Sequence, residues 1–201
     1  MPVDAPMPGS YGVRIPPWLA AEQATLPARI TDRTERMRMV NRIAARNVEE
    51  GTGGPFAALV LDSDTGDVVS AGVNLVLSAN VASAHAEVVA LSLAQTRVGD
   101  WNLGTDPARP RALVGNAQPC VMCLGTLIWS GVKALDFSVP GFEVERITGF
   151  DEGPVPADWR EQLEKRGIAV DTGLLQEECS TVLEDFRSRV AAGTITLYNG
   201  G

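Results

Sequence analysis

The chain has 201 residues, 45% of them hydrophobic, enough for one well-packed domain. Its formal charge of −8 argues against nucleic acid, whose phosphate backbone asks for a basic face, and favours a small-molecule partner. No apolar run reaches the length of a bilayer span and the N-terminus lacks a signal-peptide core, so a soluble, cytoplasmic protein with no membrane contact is expected.

Residues 1–28 contain Pro2, Pro6, Pro8, Pro16, Pro17 and Pro27 and predict a Pro-rich, extended arm with at most a short helix near Trp18–Gln23. Residues 29–201 are expected to form the functional domain. Thr31 or Asp32 can cap a helix running to about Glu50, with Met37, Val40, Ile43, Ala44 and Val48 on one side. Gly51-Thr52-Gly53-Gly54-Pro55 stops it. Arg29, Arg33, Arg36, Arg38, Arg42 and Arg46 are spread around this segment and read as a solvated face. Phe56–Asp62 and Val68–Leu77 read as strands flanking the turn Asp64-Thr65-Gly66-Asp67. A helix over about Ala84–Val98, a turn-rich loop at Trp101–Pro110 and a short strand at Arg111–Gly115 follow. Cys120–Ser130 is a helix ending at Gly131, and Ala134–Val139 a strand. Pro140–Pro156 reads as irregular. Helices at about Trp159–Arg166 and Gln176–Ala192 flank a strand near Ile168–Asp171. The alternation predicts an α/β architecture around a central sheet.

Two short motifs carry chemistry. His85, the only histidine, begins His85-Ala86-Glu87, and Pro119-Cys120-Val121-Met122-Cys123 follows downstream. One imidazole and two thiolates suit Zn²⁺ and leave a fourth position open for water. A catalytic zinc brings the pKa of water to about 7. Glu87, two residues beyond His85, can then move protons without itself being a ligand. His85 and Cys120 both fall near helix starts, where N–H groups and positive dipole ends favour thiolates. Cys123 lies three residues on, along the same helix face. Cys179 has no such partner and reads as a core residue of the last helix. With an odd number of cysteines and a C-x-x-C pair, reduced thiols fit better than a disulfide framework.

H-x-E followed by P-C-x-x-C is the signature of zinc-dependent nucleobase deaminases, and the chain resembles the cytidine-deaminase superfamily, in particular its bacterial guanine and s-triazine deaminase branch. The resemblance runs from about Gly53 to the end. Gly53-Gly54-Pro55-Phe56-Ala57-Ala58 is similar to the start of the family's first core strand. Ala71-Gly72-Val73-Asn74 carries an asparagine similar to the one that in the family hydrogen-bonds the base, and Gly149-Phe150-Asp151-Glu152-Gly153-Pro154 is similar to the family stretch that supplies a second acid. The resemblance implies a three-layer α/β/α fold with a five-stranded mixed sheet. It implies zinc on His85, Cys120 and Cys123, a proton shuttle at Glu87, and base contacts from Glu152 and Asn74. Phe56 is an aromatic wall or a core residue; Trp129 reads as core. The implied assembly is a homodimer whose C-terminal segments exchange and cap the sites, Leu197-Tyr198-Asn199-Gly200-Gly201 being the start of that cap. Gln118 stands where the family usually has glutamate. Guanine is the expected substrate. Isocytosine, cytosine or an ammeline-like triazine, a tRNA adenosine, or a catalytically silent zinc scaffold are the alternatives.

Overall fold

The computed structural model describes residues 9–199. Pro2, Pro6, Pro8 and the final Gly200-Gly201 lie outside the described residues. In chain order the elements are α1 (Pro17–Thr25), α2 (Arg33–Glu49), β1 (Ala57–Asp62), β2 (Val68–Val73), α3 (Val76–Ala79) and α4 (Ala86–Val98). Then come β3 (Arg111–Ala117), α5 (Val121–Ser130), β4 (Ala134–Val139), α6 (Gly141–Thr148), α7 (Trp159–Glu164), β5 (Ala169–Thr172) and α8 (Gln176–Ala191).

The strands form one sheet in the order β2-β1-β3-β4-β5. β1 is antiparallel to both β2 and β3, whereas β3, β4 and β5 are parallel, so the sheet is mixed. Strand alternation builds two cores. Ala57, Leu59 and Leu61 face one side and pack with Leu19, Met37, Val40, Ile43, Val144 and Leu183 of α1, α2, α6 and α8. Ala58 and Val60 face the other and pack with Ala90, Leu91, Leu124, Leu127 and Leu163 of α4, α5 and α7. This is the expected three-layer α/β/α sandwich, with β1 and β3 buried along their whole length.

Helix α2 begins as expected: the Asp32 side chain accepts the Glu35 N–H at 2.8 Å. Helix α1 is tied to the body. Leu19 is fully buried, and Glu22 accepts from both Arg42 (2.8 Å) and Arg46 (2.6 Å).

Two elements differ from expectation. The strand read to Leu77 leaves the sheet after Val73, because Asn74 turns the chain: its Oδ1 accepts the Val76 N–H at 3.4 Å, opening the short α3. The stretch read as irregular contains α6. Pro140 sits just before its first turn and Gly149, at φ 80°, just past its end. Pro140 has no N–H to lose there, and Gly149 meets no steric cost in the left-handed region.

Candidate active site

The site is assembled at the carboxyl ends of β2 and β3 and the start of β1. His85 is the N-cap of α4 and Cys120 the N-cap of α5, and neither uses its side chain to cap its helix. The helices pack side by side, so their amino ends converge. The close seating of α4 on the sheet depends on Gly72 of β2: a Cβ there would lie 2.3 Å from Ala90 N and 2.5 Å from Ala86 O.

His85 Nδ1 is 3.5 Å from Cys120 Sγ and 3.6 Å from Cys123 Sγ. Tetrahedral zinc, with Zn–S of about 2.3 Å and Zn–N of about 2.0–2.1 Å, would set nitrogen and sulfur about 3.5 Å apart. All three ligand atoms lie within 4.8 Å of one another. The spacing and donor types therefore fit zinc. The hydrogen bond from Cys123, with that of His85, pulls the Cys120 thiol down to about 4, against its burial. The same bond and burial push Cys123 up.

A cavity of about 260 Å³ opens over this cluster. Its lining includes His85, Glu87, Cys120 and Gln118 at the metal end, with Asn74, Phe56, Phe150, Glu152 and Tyr198 around it. Burial, then the Cys120 charge, raises the Glu87 carboxyl above the ordinary range. Glu152 is pushed up to about 8 by burial, then by the negative charges of Cys120 and Glu87. Acidic groups crowded so closely that they resist sharing negative charge are the electrostatic complement of a divalent cation. Asn74 is buried, and its Oδ1 accepts from Tyr198 Oη (2.6 Å), Gly54 N (3.3 Å) and Val76 N. These donors fix the orientation of the carboxamide, so its remaining polar group is the Nδ2 donor.

Residues 30–139, just over half of the chain, match the model for the cytidine and deoxycytidylate deaminase zinc-binding region. The chain belongs to the cytidine and deoxycytidylate deaminase family. Its fold is the cytidine deaminase-like fold. The structure of guanine deaminase from Nitrosomonas europaea matches this deaminase with a TM-score of 0.85 at 38% identity, over 92% of this chain and 100% of that one. Guanine deaminase of Bacillus subtilis is 30% identical over 138 residues, 69% of this chain and 83% of its own. A tRNA-specific adenosine deaminase of Buchnera aphidicola is 27% identical over the same shares of the two chains.

Every site residue expected of this deaminase lies at this one place: the three ligand atoms cluster, and Glu87, Glu152, Asn74 and Phe56 line the cavity above them. Phe56 lines the cavity and also packs against the core, with its ring 5.5 Å from that of Phe150 between centroids. Trp129 is a correction. It was read as core, yet it is 77% exposed on the outer face of α5.

Tyr198 was legible only as part of a tail. It closes the cavity with its ring 5.0 Å from Phe150, and Asn199 pins it by accepting the Asp151 N–H and donating to Gly149 O, both at 3.1 Å. In this chain the cap is the chain's own. No periodicity marks such a residue; only an aromatic in a polar tail hints at it. Of the six arginines around α2, all but the buried Arg36 lie on the expected solvated face, and all six are engaged within the chain. Arg29 pairs with Asp67, Arg33 with Asp136 and Asp171, and Arg38 with Glu178. Arg36 donates to Ile30 O at 2.7 Å, and Arg42 and Arg46 share Glu22.

Proposed function

We propose that this deaminase is a zinc-dependent aminohydrolase that converts guanine and water to xanthine and ammonia. The observation that carries the reading is one cavity holding Glu87 and Glu152 at the His85–Cys120–Cys123 cluster, with the Asn74 donor in the same lining. The guanine deaminase relatives support it.

His85, Cys120 and Cys123 would hold zinc. When bound, zinc supplies a Lewis acid that lowers the pKa of water to about 7. Glu87 takes the proton from the attacking water and delivers it to the ring nitrogen beside the amino-bearing carbon. Its raised pKa suits a group that must both accept and return a proton. Glu152 binds the ring N–H edge and helps carry a proton to departing ammonia. Asn74 Nδ2 donates to a carbonyl or ring nitrogen on the opposite edge. Phe56 forms an aromatic wall against the base. Tyr198 and Phe150 limit water over the ring.

We extend the same reading to a deaminase domain (residues 29–201) preceded by a Pro-rich segment (residues 1–28), and to a cytoplasmic homodimer. The uncharged α5, with Trp129 exposed, supports a partnered face. Among the described residues no helix is long and apolar enough to cross a membrane. The engaged arginines of α2 argue against a tRNA substrate, which would need a free basic surface.

Ammonia release by the zinc-loaded protein from guanine, isocytosine, cytosine and ammeline, beside Glu87→Ala, tests the reading. Guanine is expected to release ammonia, with a loss of at least about 10²-fold in Glu87→Ala. Release only from the smaller bases would move the substrate and keep the mechanism. No release from any base by a zinc-loaded chain would overturn the reading in favour of a silent scaffold.

A further inference from the structure

Asn47 is a fully buried polar residue near the end of α2, and its side chain leaves its own helix unserved. Its Nδ2 donates to Gly54 O at 2.8 Å and to Asn74 O at 2.9 Å. Its Oδ1 accepts the Thr52 hydroxyl at 2.5 Å, and Trp18 Nε1 donates to that same hydroxyl at 3.3 Å. One carboxamide thus joins the turn after α2 to the main chain of Asn74, and all of its contacts agree on which atom is oxygen. The turn is held tightly. A Cβ on Gly53 would come 1.9 Å from Asn74 O, so only glycine lets these two strands of chain meet. The same turn returns a grip on the Asn74 side chain through the Gly54 N–H and leads directly into Phe56.

We propose that Asn47 is a positioning residue for substrate recognition: it holds the Gly53–Gly54 turn against Asn74 so that the Asn74 carboxamide and the Phe56 ring meet the base in register, with Thr52 orienting Asn47 in turn. The inference rests on the base-binding role proposed for Asn74. Asn47 touches neither the base nor the metal cluster. It acts through the main chain of a residue that binds, so its loss weakens ground-state binding and leaves the proton shuttle intact.

The test is steady-state kinetics on guanine with zinc-loaded protein, rates expressed per folded, zinc-containing chain. Asn47→Ala is expected to raise KM about tenfold while kcat stays within about threefold. Loss of packing alone would lower the melting temperature and leave KM in place. Thr52→Val is expected to raise KM in the same direction and Thr52→Ser, which keeps the hydroxyl, to restore it; this pair decides the matter if Asn47→Ala does not fold. In an Asn74→Ala background, adding Asn47→Ala should raise KM by no more than about twofold further, because both act through one contact. A KM raised by Asn74→Ala but unmoved by Asn47→Ala and Thr52→Val overturns this inference alone. Full additivity in the double variant overturns it too. A KM unmoved by Asn74→Ala sinks the role of Asn74, and Asn47 falls with it.

Discussion

Cys120 and Cys179 are the same residue type, both buried, and their neighbours make them chemically different. Hydrogen bonds from Cys123 and His85 bring Cys120 down to about 4, whereas burial pushes Cys179 up to about 11. Cys120→Ser is therefore expected to purify with most of its zinc missing by metal analysis, and Cys179→Ala to keep its full complement at a cost of about 1 kcal/mol in stability. Equal zinc content in the two variants would remove Cys120 from the ligand set. The motifs made this contrast legible in advance, since a paired cysteine and a lone one differ on paper. Trp129 was not legible. Helix α5 is apolar on nearly every side and carries no charge, so periodicity does not say which face the sheet covers. Tyr198 and Asn47 were silent for another reason: each acts through a hydrogen bond to Asn74 from far along the chain, and no local pattern records that.

Helices α4 and α5 bring His85, Cys120 and Cys123 together because their amino ends converge, and α4 reaches that position over a close contact with the sheet. Gly72 is the narrowest point, with two backbone atoms of α4 within 2.5 Å of any added Cβ. Gly72→Ala is expected to push α4 from β2, costing about 1–3 kcal/mol of stability and loosening zinc, read as a lower melting temperature and faster zinc loss to a chelator. An unchanged zinc off-rate would show that α4 is held elsewhere. The starts of both helices were readable from His85 and Pro119-Cys120. The missed α6 carried its own punctuation in Pro140 and Gly149, which reads as breakage until Val144 and Ile147 are seen to share a buried face. The end of β2 was misplaced because Leu75 and Val76 continue the apolar pattern while Asn74 turns the chain.

Across the molecule, acids outnumber bases and many of the pairs join separate elements. Asp62, at the end of β1, is such a point. Burial works against its charge, but the N–H groups of Thr65 and Asp64 and the nearby Arg111 win and hold its carboxyl below the ordinary range. A depressed folded pKa means stability that is fully present above the unfolded value of about 4 and is lost as pH falls through the folded one. The melting-temperature gap between the parent chain and Asp62→Asn should therefore be open at pH 7 and shrink below about pH 4. A gap that stays constant to pH 3 would refute the assignment. The family match ends at residue 139, and the cavity does not. The His85–Cys120–Cys123 cluster falls inside the matched half, whereas Phe150, Glu152 and Tyr198 fall outside it, which is why the cluster was easier to read than the rest of the cavity. The walls run from Phe56 to Tyr198, so a ribosome must release the chain as far as Tyr198 before the cavity is complete. Any molecule that fills this cavity is then a proofreader of synthesis: it stabilises chains that reach Tyr198 and ignores those that stop short.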